Sequence, residues 1–420
     1  MSRSPVGNSA AVSTSTPTAR GLKGLRGPAA AAVVATAFVI VMLGATLPTP
    51  LYPIYEQRLG FGGLVVTLVF AAYAVGVALA LVLFGRLSDQ IGRRAVLLPG
   101  LVLAAVSSAV FLVPGGVAAL VVGRVLSGLS AGVFTATATA MLVDLAPRGR
   151  GRRYSLLAAA VNMLGLGLGP VLAGALAQYA PLPLDLSYVV HIVLVAVAGT
   201  ALFFVVDPVG RTAATVNWSP QRIAIPPQAR GVFIRAATAG FAGFAVLGLF
   251  TAVSPSFVGQ VLHISNHLVT GLVVFALLGS STVGQVASAS TTERRALLGG
   301  ALALVAGVVV VGTSVGVGSL LLLVVGAVVA GVGQGMSFRA GLGEVTASCP
   351  AAQRGEVSAS FFLVLYIGIA IPVIGVGILQ ELTSLVVAAV AFSVVVALLA
   401  AVAFVSILVA GRSGRDAATA

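Results

Sequence analysis

Apolar stretches of about 20 residues, each closed by a charged or proline-bearing turn, recur twelve times along this chain of 420 residues. A helix of about 20 residues is what crosses the hydrocarbon of a bilayer, where every backbone polar group must bond within its own segment. The stretches fall at 30–49, 64–84, 95–113, 117–143, 154–176 and 187–206, then at 233–253, 267–288, 296–312, 319–343, 357–379 and 383–410. Six and six flank a polar link, 207–232, whose Asp207, Pro208, Trp218, Pro220, Pro226 and Pro227 neither span nor pack as a core. Only 8% of the residues are charged, against roughly a quarter in soluble domains, so a water-soluble fold is excluded. The expected architecture is an all-α membrane protein with twelve transmembrane helices in two pseudo-symmetric six-helix bundles. Its expected parts are a disordered cytoplasmic tail (1–28), an N-terminal bundle (29–206), a cytoplasmic linker (207–232), a C-terminal bundle (233–410) and a cytoplasmic tail (411–420).

Orientation follows from charge, because loops rich in Lys and Arg stay on the cytoplasmic side. With the N-terminus inside, all but two of the 23 Lys and Arg residues fall in cytoplasmic segments. The exceptions are Arg58, in an outer loop, and Arg124, inside a span. Both termini are therefore expected in the cytoplasm. The net charge of +13 would suggest nucleic acid in a soluble protein. Here the basic residues come in small clusters between apolar runs, and no nucleic acid is expected. Lys23 is the lone lysine, so a phosphate loop ending in Gly-Lys-Ser/Thr is absent. One cysteine, Cys349, excludes an internal disulfide and CxxC metal sites, and neither metal nor cofactor is expected. The basic N-terminus resembles a signal peptide, but the stretch 29–49 is too long for one, so it reads as a retained first span.

The halves resemble each other, as an internal duplication would leave them. Ser155, Gly165, Pro170 and Gly174 of the fifth span recur as Ser358, Gly368, Pro372 and Gly377 of the eleventh, and a loop beginning RRAVLL at Arg93 has a counterpart RRALL from Arg294. Paired repeats of this kind hold their binding site between them, near the midplane.

Between the second and third spans stands GRLSDQIGRR, residues 85–94. Gly85 and Gly92 allow a tight turn, Asp89 supplies a carboxylate, and Arg86, Arg93 and Arg94 supply cations within its reach. A generic basic loop accounts for the arginines but not for the whole string. This pattern resembles the signature loop of the major facilitator superfamily, and topology and duplication extend the resemblance over all twelve spans. The resemblance implies a cytoplasmic gate in which Asp89 pairs with Arg93 and with the N-terminal end of the eleventh span, joined by Asp144 at the end of the fourth. The corresponding loop of the second half keeps Glu293, Arg294 and Arg295 but lacks Gly-Arg-Arg, so one strong charge gate is expected.

The fourth span holds LVVGRVLSGLSAG, residues 120–132, with Arg124 about seven residues deep. A charge there is costly unless it faces water or a partner, or snorkels to the interface. Arg124 followed by Gly128 is similar to the family's span-four motif, though Ser127 stands where glutamine is usual, and the resemblance implies a part in proton coupling. The fifth span holds GLGLGPVLAG, residues 165–174. Its Gly165 and Gly169 permit close helix approach, and Pro170 removes one backbone bond. Gly165, Gly169, Pro170 and Gly174 resemble the superfamily's antiporter motif, with Ala173 replacing one glycine, which implies export.

Few polar side chains lie deep in the spans, so the substrate cavity should be largely apolar. Candidate lining residues are Phe38, Tyr73, Asn162, Gln334 and Tyr366, with Gln285 and Phe244 behind them; each singly also reads as an interhelical bond or core filler. His191 reads as an interfacial histidine. Every acid lies at a span end or in a loop, with Asp89, Asp144, Glu344, Glu56 and Glu356 nearest the membrane. Taken together these features point to a monomeric, proton-coupled exporter of small hydrophobic compounds in a bacterial inner membrane, not an enzyme, with a small-molecule substrate, protons and the lipid bilayer as partners. The alternatives are an importer of the same fold, by symport or facilitated diffusion, and a non-transporting membrane protein such as a sensor or lipid-modifying enzyme.

Overall fold

The computed structural model describes residues 24–209, 220–350 and 353–419. Twelve helices in it are long and apolar enough to cross a membrane. In the first half α1 (Gly27–Thr46) continues through a 3-10 turn into α2 (Tyr52–Leu59), followed by α3 (Gly63–Phe84), the short α4 (Leu87–Ile91), α5 (Arg93–Phe111), α6 (Gly116–Asp144), α7 (Gly151–Tyr179) and α8 (Leu186–Phe203). In the second come α9 (Arg230–Ala252), α10 (Ser254–Gln260), α11 (His267–Ser288), α12 (Glu293–Val317), α13 (Leu320–Ala347), α14 (Arg354–Leu382) and α15 (Leu385–Thr419).

The first apolar run is broken where the sequence stays apolar. Pro48 and Pro50 cannot donate backbone bonds, and the chain takes a 3-10 turn at Thr49–Leu51 before α2. The helix also starts earlier than the expected tail allows: Gly27 opens α1, and Leu25 bridges to Val205. Residues 1–23 of the tail lie outside the described residues. At the other end α15 is helical through Thr419, so residues 411–419 of the expected tail continue the last helix.

Within the first half α1 packs on α6, α7 and α8, α3 on α6, and α5 on α6 and α8; within the second α9 packs on α13, α14 and α15, α11 on α13, and α12 on α13 and α15. The halves meet along α7 with α11 and α3 with α14, and where α2 meets α10. Many valines and leucines point outward, Val102, Val113, Val197, Leu302, Leu321 and Leu398 among them. Such a belt would be an aggregation hazard in water and is the expected surface in lipid.

One face of the molecule gathers Leu25, the 85–94 loop, Arg152, Glu293 and Arg294 and is called the basic face below. The link between the halves leaves this face pinned to the first half. Arg94 NH1 donates to the carbonyls of Phe203 (2.9 Å) and Val205 (3.0 Å), and its backbone N–H donates to Asp207 Oδ2 (2.8 Å). Leu25 exchanges backbone bonds with Phe204 and Val206. Residues 210–219 lie outside the described part; on its return the chain docks on the first half again, Gln221 N–H donating to Val82 O at 2.7 Å.

Candidate functional site

Two cavities open between the halves, one at each face, and the helices around them are joined by different chemistry. At the opposite face the helices of the two halves approach closely at glycines. On α7, a Cβ at Gly174 would overlap the His267 carbonyl of α11, and a Cβ at Gly271 would overlap the Pro170 carbonyl of α7. A Cβ at Gly377 of α14 would strike Thr67 of α3. Small residues let these backbones touch, which in lipid supplies the packing that a hydrophobic effect cannot. Gly174 and Gly377 are equivalents in the two repeats, so the closure is two-fold. The cavity beside it measures about 720 Å³ and is lined by Glu56, Gln57, Phe61, His267, Gln380 and Glu381, among others. Each carboxylate reaches the other half: Ser256 Oγ donates to Glu56 Oε2 and Leu64 N–H to Glu381 Oε1, both at 3.4 Å.

The rest of the α7 motif faces α1. A Cβ at Gly165 would meet Met42 and Val39, and one at Gly169 would overlap Leu43 O and Thr46 Oγ1. Pro170 has no N–H for the Leu166 carbonyl four residues back, and Thr46 Oγ1 donates to that carbonyl at 2.6 Å. The motif is thus split between two neighbours, α1 in its own half and α11 across the interface.

At the basic face the joints are side chains. Arg93 binds Asp89 and Asp144, the latter at 3.0 Å, and donates to Ser88 Oγ at 2.8 Å. Gly92 makes the turn at φ +98°, and a Cβ there would lie 2.6 Å from Asp207 Oδ2, so no other residue fits. Asp89, Arg93 and Asp144 are together as expected, Gly85 ends α3, and Arg94 turns away to the link. Arg86 reaches the first turn of α14, its NH2 standing 3.4 Å from Glu356 Oε1.

The second half holds a counterpart that the sequence concealed. Glu293 pairs with Arg339 at 3.0 Å, and Arg339 donates to Ser288 Oγ (2.9 Å) and Ser288 O (2.8 Å). Ser288 and Glu293 flank the turn from α11 to α12, as Ser88 and Arg93 flank the turn into α5, and here the loop supplies the acid and the neighbouring helix the arginine. One strong charge gate was expected; among the described residues this further ion pair lies within the second half. The cross-half contact is copied as well, since Arg152 NH2 at the start of α7 donates to the Ala289 carbonyl.

Beside these joints lies a cavity of about 650 Å³, lined at its mouth by Arg152, Arg153, Glu293 and Arg339 and deeper in by Leu156, Gln285, Phe338 and Leu342. Ser281 bridges Gln334 and Gln285, and Gln285 Oε1 and Gln334 Nε2 are buried without a partner among the described residues. Phe244 packs on Phe338 (5.5 Å between centroids) and on Tyr366 (6.3 Å). Of the expected lining residues, Gln334 and Tyr366 belong to this neighbourhood, and Asn162 is half-buried on α7. Phe38 instead packs on Phe134 in the core of the first half. Phe338, Leu156 and Arg339 went unread because nothing in the sequence separates them from core or loop residues.

Arg124 does not snorkel. It is 0% exposed, NH1 donates to the Ala45 carbonyl, and its guanidinium lies over Tyr52, Phe70 and Tyr73 at 5.7, 5.3 and 5.4 Å. Its Nε and NH2 have no partner among the described residues. His191 is likewise buried rather than interfacial, between Ser108 Oγ (2.7 Å) and Ile40 O (3.0 Å).

Residues 34–373 match the family model described as Major Facilitator Superfamily. The chain belongs to this superfamily. Among curated superfamily relatives, Quinolone resistance protein NorA of Staphylococcus aureus (strain Mu50 / ATCC 700699) is 30% identical over 140 residues, 33% of this chain and 36% of that protein. An uncharacterized MFS-type transporter of Methanocaldococcus jannaschii is 28% identical over 137 residues, with the same coverage of 33% and 36%. The match therefore spans about a third of the length of these relatives. The crystal structure of the human organic anion transporter MFSD10 (TETRAN) shares the fold, with a TM-score of 0.66 at 18% identity, over 90% of this chain and 99% of that one.

Proposed function

We propose that this superfamily member exports small, largely apolar compounds by alternating access, with protons as the counter-ion. It would sit in a bacterial inner membrane, with the basic face and both termini in the cytoplasm. The observation that carries the reading is the asymmetry of the two faces. Close glycine contacts between α7 and α11 and between α3 and α14, with two long hydrogen bonds to Glu56 and Glu381, close one face, while a cavity bordered by an ion pair and arginines stands at the other. A solute entering from the basic face would leave once the pairs at that face tighten and the glycine contacts part. The likeness to NorA, named for quinolone resistance, supports export over import. Asp89, Arg93 and Asp144 would form the latch with Gly85, Gly92 and Arg94 shaping its loop, and Arg124 would take part in proton coupling.

Everted vesicles energised by respiration test this. Uptake of compounds from a broad panel, with substrate-dependent proton release that Asp89→Asn and Arg124→Ala abolish, is the expected result. No proton flux with any compound would remove antiport, and accumulation of the same compounds in intact cells would reverse the direction to import.

A further inference from the structure

The two cavities between the halves carry opposite charge. At the basic face, Arg152, Arg153 and Arg339 line the cavity with one carboxylate, Glu293, and Arg339 and Glu293 neutralise each other at 3.0 Å. Two positive charges remain, on adjacent residues in the first turn of α7. At the opposite face Glu56 and Glu381 line the cavity, with His267 the other titratable group and no Lys or Arg among the described lining residues. Part-way along α6 sits Arg124, fully buried, with no carboxylate in ion-pair range among the described residues and two nitrogens unpartnered. A charge in low-dielectric surroundings is screened little, so its field extends over the neighbouring pathway. The ionisable groups at the two mouths thus differ in kind, arginines at the basic face and carboxylates at the far one.

Topology alone requires arginines on one face. It does not require two of them to line the space between the halves, nor that the far mouth hold carboxylates without cations. The cavity also has the size and make-up of a small-molecule site, about 650 Å³ with an apolar wall and a few polar groups.

We infer that the basic-face cavity binds a small amphipathic anion, its charged group between Arg152 and Arg153 and its apolar body on Leu156, Phe338 and Leu342. The inference rests on the transport route proposed above and adds the charge class of the solute. An anion is drawn to the cavity at the basic face, the side from which an exporter loads its solute. An inside-negative potential also drives a monoanion outward, by about 50-fold per 100 mV.

The test uses the full chain, purified in detergent, and three radiolabelled probes of one shape: naphthalene-2-carboxylate, its neutral carboxamide and 2-naphthylmethylammonium. The carboxylate is expected to bind at least about tenfold tighter than the amide, as two charge-assisted hydrogen bonds would provide. Arg152→Gln with Arg153→Gln should reduce that preference to under twofold; Arg58→Gln, at the exposed end of α2, should leave the preference unchanged. Raising KCl from 20 to 500 mM should weaken the carboxylate alone, which decides the matter in the wild-type protein even if the double variant folds poorly. Equal binding of the three probes, preference for the ammonium, or salt-independent carboxylate binding would overturn the inference. Transport of amide and ammonium without preference for the carboxylate sinks this inference and leaves export standing; carboxylate binding without transport does the reverse.

Discussion

Gly174→Val should drive the opposite face open. In the closed arrangement its Cβ would overlap the His267 carbonyl and lie 3.1 Å from Leu268 Cα, so the obstacle is backbone that cannot rotate aside. Overpacking of this kind costs about 1–3 kcal/mol. The cost falls only on the conformer in which α7 and α11 touch, so it becomes a population shift of roughly 5- to 150-fold toward the conformer in which they part. Thr270 reports the change: it lines the far cavity and is 4% exposed. In a Cys349→Ser, Thr270→Cys background, maleimide labelling of the purified protein should accelerate by that factor when Gly174→Val is added. Gly375→Val is the control, because nothing stands within 4 Å of a Cβ there. Equal labelling rates in the two valine variants would refute the claim that glycine contacts hold this face shut.

Thr46→Val should destabilise the protein by about 1 kcal/mol in reversible unfolding, since it strands the Leu166 carbonyl. In a Pro170→Ala background the restored N–H should remove most of that loss; an undiminished loss would mean the hydroxyl acts elsewhere. Arg86→Ala should change unfolding by less than about 1 kcal/mol, the pair being partly exposed, yet slow vesicle uptake, and the swap Arg86→Glu with Glu356→Arg should recover it. Arg124→Met should abolish proton flux while leaving the melting temperature unchanged or raised, because an apolar side chain of similar volume removes the cost of an unpaired buried charge. A fall of several degrees would assign the arginine to structure instead.

Periodic hydropathy made the helices legible, because lipid imposes length and composition together. What it could not register were changes inside apolar sequence: the turn at Thr49–Leu51, or the run of α12 on to Val317. The 85–94 loop was legible because its glycines and charges are neighbours in sequence. Its second-half counterpart was not, since Arg339 lies on another helix from Glu293 and the signs are exchanged. Arg124 could be singled out, but its cage could not, since Tyr52, Phe70 and Tyr73 are three apolar-looking residues on two other helices. The cavity was least visible of all: Phe338 beside an opening and Phe134 in a core have the same surroundings in a sequence.

The connection between the bundles is moored twice to the first one, at Asp207 and again at Gln221. Only the short piece from Arg222 to Ala229, ending in Pro226, Pro227 and a single 3-10 turn, spans from the second mooring to α9. Proline makes such a piece a stiff spacer. It behaves as a short strut rather than a slack tether, and any swing of the second bundle must be taken up within those few residues.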